Sequence, residues 1–110
     1  MKVMNLVASS TTVLALAVAT LGFAQEKKAG ESIFSETCAV CHGPDGKAQT
    51  DIGKGMQAAD LTSAAVQQQT DTQLSDSIDK GKGKMPPFHD KLSGDDIKAV
   101  VTYIRSLGKK

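Results

Sequence analysis

Apolar residues return at helical spacing in several places along this chain, and nowhere do they alternate long enough to make a convincing strand. The clearest case is the last: Ile97, Val100, Val101, Ile104 and Leu107 recur at intervals of three and four, the period of one helix face. Ser93 and Asp96 make a capping box at its start, and Gly108 lies just past its end. Upstream, Thr70 with Gln73 forms a second capping box that leads into Leu74 and Ile78, with Gly81 as the stop. Between Gly30 and Cys41, the residues Ile33, Phe34, Thr37, Cys38 and Cys41 share a third helical face. The stretch "TSAAVQQQ" predicts a short extra helix. Residues 43–60 and 81–92, which carry glycine and few apolar positions, read as irregular. The pattern predicts an all-α fold.

One apolar run has a different character. After Met1 and Lys2 the chain passes from Val13 to Leu21 without a charge, too short a core to span a bilayer. It ends in "LGFAQE", where small Gly22 and Ala24 flank Phe23 and charges begin at Glu26, Lys27 and Lys28. These features predict a secretory signal peptide over 1–24, cleaved after Ala24. An uncut membrane anchor is the alternative. Cleavage leaves residues 25–110 as one small domain in the periplasm with no stable membrane insertion. Loss of Lys2 with the leader leaves twelve basic residues against twelve acidic ones. That balance argues against a nucleic-acid partner, which calls for a basic excess. The aromatic residues then left are Phe34, Phe88 and Tyr103, with no tryptophan. A domain this small buries a limited share of its surface, and something besides side chains is expected to help fill its core.

Both cysteines lie in "SETCAVCHGPDG", with Cys38 and Cys41 three apart and His42 directly after. A disulfide there would close a tiny, strained loop, add little stability and leave His42 unexplained. A thioredoxin-like redox pair belongs with a βαβ pattern that this chain lacks. A structural zinc needs a further ligand, for which only His89 or a carboxylate is at hand. C-x-x-C-H in an exported protein is the attachment signature of a c-type haem, and this reading is favoured. On a helix the three side chains fall on one face, so the two sulfurs bond the haem rim while the imidazole faces the iron.

A second axial ligand decides whether such a site transfers electrons or binds small molecules. The candidates are Met56, Met85 and His89. Met85 stands in "GKGKMPPFHDKLS", where Gly81 and Gly83 permit a close turn and Pro86 and Pro87 fix φ behind it. Met56, in "GKGMQAADL", reads as an exposed or packing methionine. His89, beside Asp90, reads as a surface histidine.

Taken together, "GESIFSETCAVCHGPDGK", "ADL", "GKGKMPPF" and "LSGDDIKAVVTYIRSL" resemble the class I c-type cytochromes, in particular small monohaem bacterial and cytochrome-c6-like electron carriers. The resemblance implies a cytochrome c fold of three to five helices wrapped around one covalently bound haem c. It implies that Cys38 and Cys41 carry the haem, that His42 is the proximal ligand and Met85 the distal one, and that Leu61 packs on the haem. It further implies that the first and last helices cross near Gly30, with Phe34 and Tyr103 packed at the crossing. One departure stands out. Many relatives have a proline before the "x-L" of the segment after the haem motif, and its carbonyl accepts the proximal histidine's outer N–H. Here the matching position is Ala59, which keeps the carbonyl and loses the fixed φ.

The function expected is that of a periplasmic one-electron carrier, monomeric and not an enzyme, shuttling between redox protein partners. Two other classes remain open: a five-coordinate haem module reacting with gas or peroxide, and an electron-transfer subunit of a larger dehydrogenase or oxidase. Lys80, Lys82 and Lys84 alternate before Met85, with Lys91 beyond. They are either a solvated loop or a positive rim that steers an acidic docking face, weakened by Asp79 and Asp90.

Overall fold

The computed structural model describes residues 10–109. They run through α1 (Ser10–Ile33), a π-helical turn (Phe34–Cys38), α2 (Ala39–His42), α3 (Asp51–Gly55), α4 (Ala64–Gln67), α5 (Asp71–Lys80) and α6 (Gly94–Leu107). The first nine positions of the expected leader, 1–24, lie outside the described residues, and Ala24 lies within α1. Among the described residues there is no strand, only an isolated bridge between Lys82 and Met85. None of the described helices is long and apolar enough to cross a membrane.

Local chemistry accounts for the helix starts. At α5 the Thr70 hydroxyl accepts the Gln73 N–H at 3.1 Å and the Gln73 side chain accepts the Thr70 N–H at 2.9 Å. At α6 Ser93 and Asp96 exchange the same pair of bonds at 3.1 and 3.0 Å, so both predicted capping boxes form. The short helix predicted around "TSAAVQQQ" is α4, capped by Ser63. There are more helical segments than the resemblance implies, and α3 lies inside a stretch that reads as irregular. Two of its five residues are glycine, so it has no apolar period to detect. It forms because Thr50 caps it, accepting the Gly53 N–H at 2.9 Å while donating to the Val40 carbonyl at 3.0 Å.

The core lies where α1 crosses α6. A Cβ on Gly30 would stand 2.0 Å from the Ala99 carbonyl oxygen, so only a bare backbone allows this approach. Phe34 and Tyr103 close the crossing with ring centroids 5.2 Å apart and planes tilted by 55°. Phe34 and Val100 are fully buried there. Because the clash at Gly30 is with backbone, the neighbour cannot swing aside. Gly30→Val should therefore destabilise the fold by about 2–3 kcal/mol, the upper end of ordinary overpacking costs. Denaturant unfolding of the holoprotein checks this, and an unchanged midpoint would show that the crossing is looser than it looks.

A second tie joins α6 to the segment before α5. Arg105 Nε meets Asp71 at 2.9 Å, and its two terminal nitrogens donate to the carbonyls of Gln67, at 2.8 Å, and Gln69.

Candidate functional site

The passage from α1 to α2 is not one continuous α-helix. Over Phe34–Cys38 the ladder widens to π-helical spacing, with the Ala39 N–H bonded to the Phe34 carbonyl. A π-turn inserts one extra residue and rotates the residues beyond it. Phe34 is left pointing into the core, while Thr37, Cys38, Cys41 and His42 line one cleft. Cys38, Cys41 and His42 thus line the same cleft, although the backbone that leads to them is not the continuous α-helix expected. Against α2, Gly53 packs so closely that a Cβ there would sit 2.0 Å from the Cys41 carbonyl oxygen.

The chemistry of these groups narrows the readings. Burial, followed by the neighbouring Cys41, pushes the Cys38 thiol up to about 11, whereas reactive dithiols depend on a lowered thiol pKa. Cys38 and Cys41 are not joined in a disulfide. Among the described residues no three His, Cys, Asp or Glu side chains gather to hold a metal, which leaves a structural zinc without its ligand set. His42 Nδ1 lies 2.9 Å from the Ala59 carbonyl oxygen. A carbonyl only accepts, so Nδ1 carries the proton, and in the neutral ring Nε2 keeps a free lone pair.

Met85 lines the same cleft. The Lys82 N–H donates to the Met85 carbonyl at 3.0 Å and the Met85 N–H to the Lys82 carbonyl at 2.9 Å, closing a tight turn. Gly81 at φ 80° and Gly83 at φ 59° make that turn, as expected of them. The Phe88 N–H then bonds the Ile78 carbonyl at 2.9 Å, tying the loop to the end of α5. With its backbone groups paired in the turn, Met85 presents its side chain to the cleft. His89 faces Asp90 at 3.0 Å near the surface and does not line the cleft. Met56 does line it, but from the end of α3, which packs on α2 beside His42.

Phe34, Leu61, Leu74, Ile78, Val100 and Ile104 form its apolar lining. Sequence periodicity identifies most of these as helix-face residues and gives no sign that they would surround a space. The cleft holds about 870 Å³, within the size range of cofactor sites. The cleft is thus suited to a large, mostly apolar group with a coordinating centre, and the thiols, the imidazole and the thioether fit haem c. Lys82, Lys84 and Lys91 stand at its mouth, while Lys80 turns to Asp76 at 3.8 Å.

Comparison with known proteins agrees. A family model described as cytochrome C oxidase, cbb3-type, subunit III matches residues 25–104. The chain is 35% identical over 81 residues to a cytochrome c6 from Microcystis aeruginosa, covering 74% of this chain and 96% of that one. It is 37% identical over 81 residues to the cbb3-type cytochrome c oxidase subunit FixP of Bradyrhizobium diazoefficiens, covering 72% of this chain but 27% of FixP. It thus spans about a quarter of that relative's length. Among solved structures, the KustC0563 c-type cytochrome superposes with a TM-score of 0.66 at 32% identity, covering 71% of this chain and 95% of that chain. A helical fold around an apolar cleft, the C-x-x-C-H turn on its wall and these matches lead to one conclusion: the chain belongs to the class I c-type cytochromes, in the family of that cbb3-type subunit III model, and is an electron-transfer protein whose family cofactor is haem c.

Proposed function

We propose that this cytochrome is a periplasmic one-electron carrier in which Cys38 and Cys41 hold a single haem c through two thioethers, and His42 and Met85 fill its axial positions. The observation that carries this reading is that Cys38, Cys41, His42 and Met85, far apart in sequence, line one cleft. Haem c supplies an iron that gains and loses one electron. His42 offers Nε2 because its other nitrogen is committed to Ala59. Met85 offers a thioether, a ligand that favours the ferrous state. Leu61 and the apolar lining exclude water. With both axial positions supplied by the chain there is no place for a gas or peroxide, which supports a carrier over a reactive or enzymatic haem.

Export through a cleaved leader is supported by the exposure of Leu21 and Phe23 and by Gly30 being the first buried residue among those whose burial is described. A titration of the holoprotein tests the reading. The spectrum should follow a single one-electron curve, and the ferrous protein should ignore carbon monoxide. Carbon monoxide binding by the wild type would overturn it in favour of the five-coordinate class.

The FixP similarity favours a second reading, in which the domain works as part of an oxidase. Gel filtration with native partners separates that from a free monomer.

Docking depends on the rim. Lys82, Lys84 and Lys91 at the mouth would steer an acidic redox partner, while Lys80, paired with Asp76, lies off it. The rate of electron transfer to an acidic partner should fall as salt rises, because the Debye length shrinks to about 3 Å at 1 M. In a Lys82, Lys84 and Lys91 to Gln variant the salt slope should flatten, and in Lys80→Gln it should not. Equal slopes in the triple variant and the wild type would place docking elsewhere.

A further inference from the structure

The Ala59 carbonyl that accepts the His42 Nδ1–H lies on an exposed, non-helical segment and has no proline ring to hold it. Its direction depends on φ and ψ of Ala59 and on φ of Asp60, and the structure restrains the chain on both sides of that peptide. Before it, the Ala58 N–H donates to the Gly53 carbonyl at 2.9 Å. After it, the Leu61 N–H donates to the Gly46 carbonyl at 2.7 Å. Asp60 Oδ1 accepts both the Thr62 hydroxyl, at 2.6 Å, and the Thr62 N–H, at 2.8 Å. The Leu61 carbonyl accepts Gln67 Nε2 at 2.7 Å, and that same amide donates to the Ile104 carbonyl at 3.0 Å.

Gln67 is itself fixed. Its backbone carbonyl accepts Arg105, and its side chain lies against Gly108, where an added Cβ would stand 2.4 Å from the amide carbon. Half-buried and doubly bonded, Gln67 has little freedom to let the Leu61 segment drift.

We propose that Gln67 and the Asp60–Thr62 turn replace the missing proline as the device that aims the Ala59 carbonyl at His42. This rests on the reading of His42 as the iron ligand. Neither Gln67 nor Asp60 donates or accepts a bond at His42, so both are positioning residues that act through one backbone carbonyl. A well-aimed acceptor at Nδ1 raises the basicity of the imidazole, which favours the ferric state and lowers the reduction potential. Loosening the carbonyl does the reverse.

The experiment uses ferric and ferrous holoprotein and two readouts, the reduction potential and the hydrogen exchange of the iron-shifted His42 Nδ1–H in proton spectra. Gln67→Ala and Asp60→Ala should each speed that exchange roughly three- to tenfold, the factor one net hydrogen bond represents, and raise the potential. Asp60→Asn, which keeps the acceptor oxygen for Thr62, should behave as the wild type. Adding Ala59→Pro to either alanine variant should restore both readouts. Among the described residues the Ala59 N–H makes no hydrogen bond, so proline removes none there. Unchanged exchange and potential in the alanine variants, or no reversal by Ala59→Pro, overturns the clamp while leaving His42 as ligand. A wild-type holoprotein with no iron-shifted imidazole N–H overturns the ligand reading and the clamp together.

Discussion

Met85→Ala should turn a closed electron-transfer site into one that takes up carbon monoxide. The backbone of the Met85 turn is held by the paired bonds to Lys82 and by the Phe88 to Ile78 bond, none of which involves the thioether. Truncation should therefore leave the loop in place and remove only the sulfur. Loss of the thioether should erase the weak far-red ferric band and lower the potential by a substantial part of the roughly 0.8 V that axial ligands span. Met56→Ala and His89→Ala are the controls. Met56 follows the end of α3, which packs on α2, and His89 is engaged with Asp90 at 3.0 Å. If His89→Ala opened the site while Met85→Ala did not, the ligand assignment would be wrong.

The second large effect should come from the cysteines. A covalently held group cannot be diluted away, whereas a merely bound one stabilises the fold by mass action, about 2.7 kcal/mol at a hundred times its Kd. Replacing Cys41 by serine should reduce the yield of holoprotein, and replacing Cys38 as well should abolish stable attachment. The double variant should also lose thermal stability, since a cleft of about 870 Å³ would then be left to water or to partial collapse. Thermal unfolding of single and double variants against the wild type checks the order. A double variant that kept its haem through gel filtration would show that side-chain packing, not the thioethers, retains it.

Much of this architecture is legible in the sequence because it is written in local chemistry. Two capping boxes and a three-and-four apolar period mark α5 and α6, and C-x-x-C-H and "MPP" mark segments that line the cleft. The crossing at Gly30 comes only from the family resemblance, since a glycine has no side chain to announce its partner. The parts that escape sequence reading are those whose cause is distant. The π-turn is invisible because Phe34–Cys38 has an ordinary helical composition. Helix α3 carries no apolar period, and its Thr50 cap looks like any loop threonine. The Gln67 and Arg105 ties join residues more than thirty positions apart, and "QQQ" reads as a merely polar run. Lys80, part of the alternating lysine run, does not line the cleft and has Asp76 within 3.8 Å one helical turn away.

Everything proposed for this cytochrome depends on Cys38 and Cys41 binding haem covalently in the cleft that His42 and Met85 line. Acid–acetone extraction of the wild-type holoprotein tests that attachment most directly. Acid breaks axial coordination and unfolds the apolar lining, so only covalent bonds can keep the group on the chain. The colour should stay with the precipitated protein; haem passing quantitatively into the acetone would contradict covalent attachment.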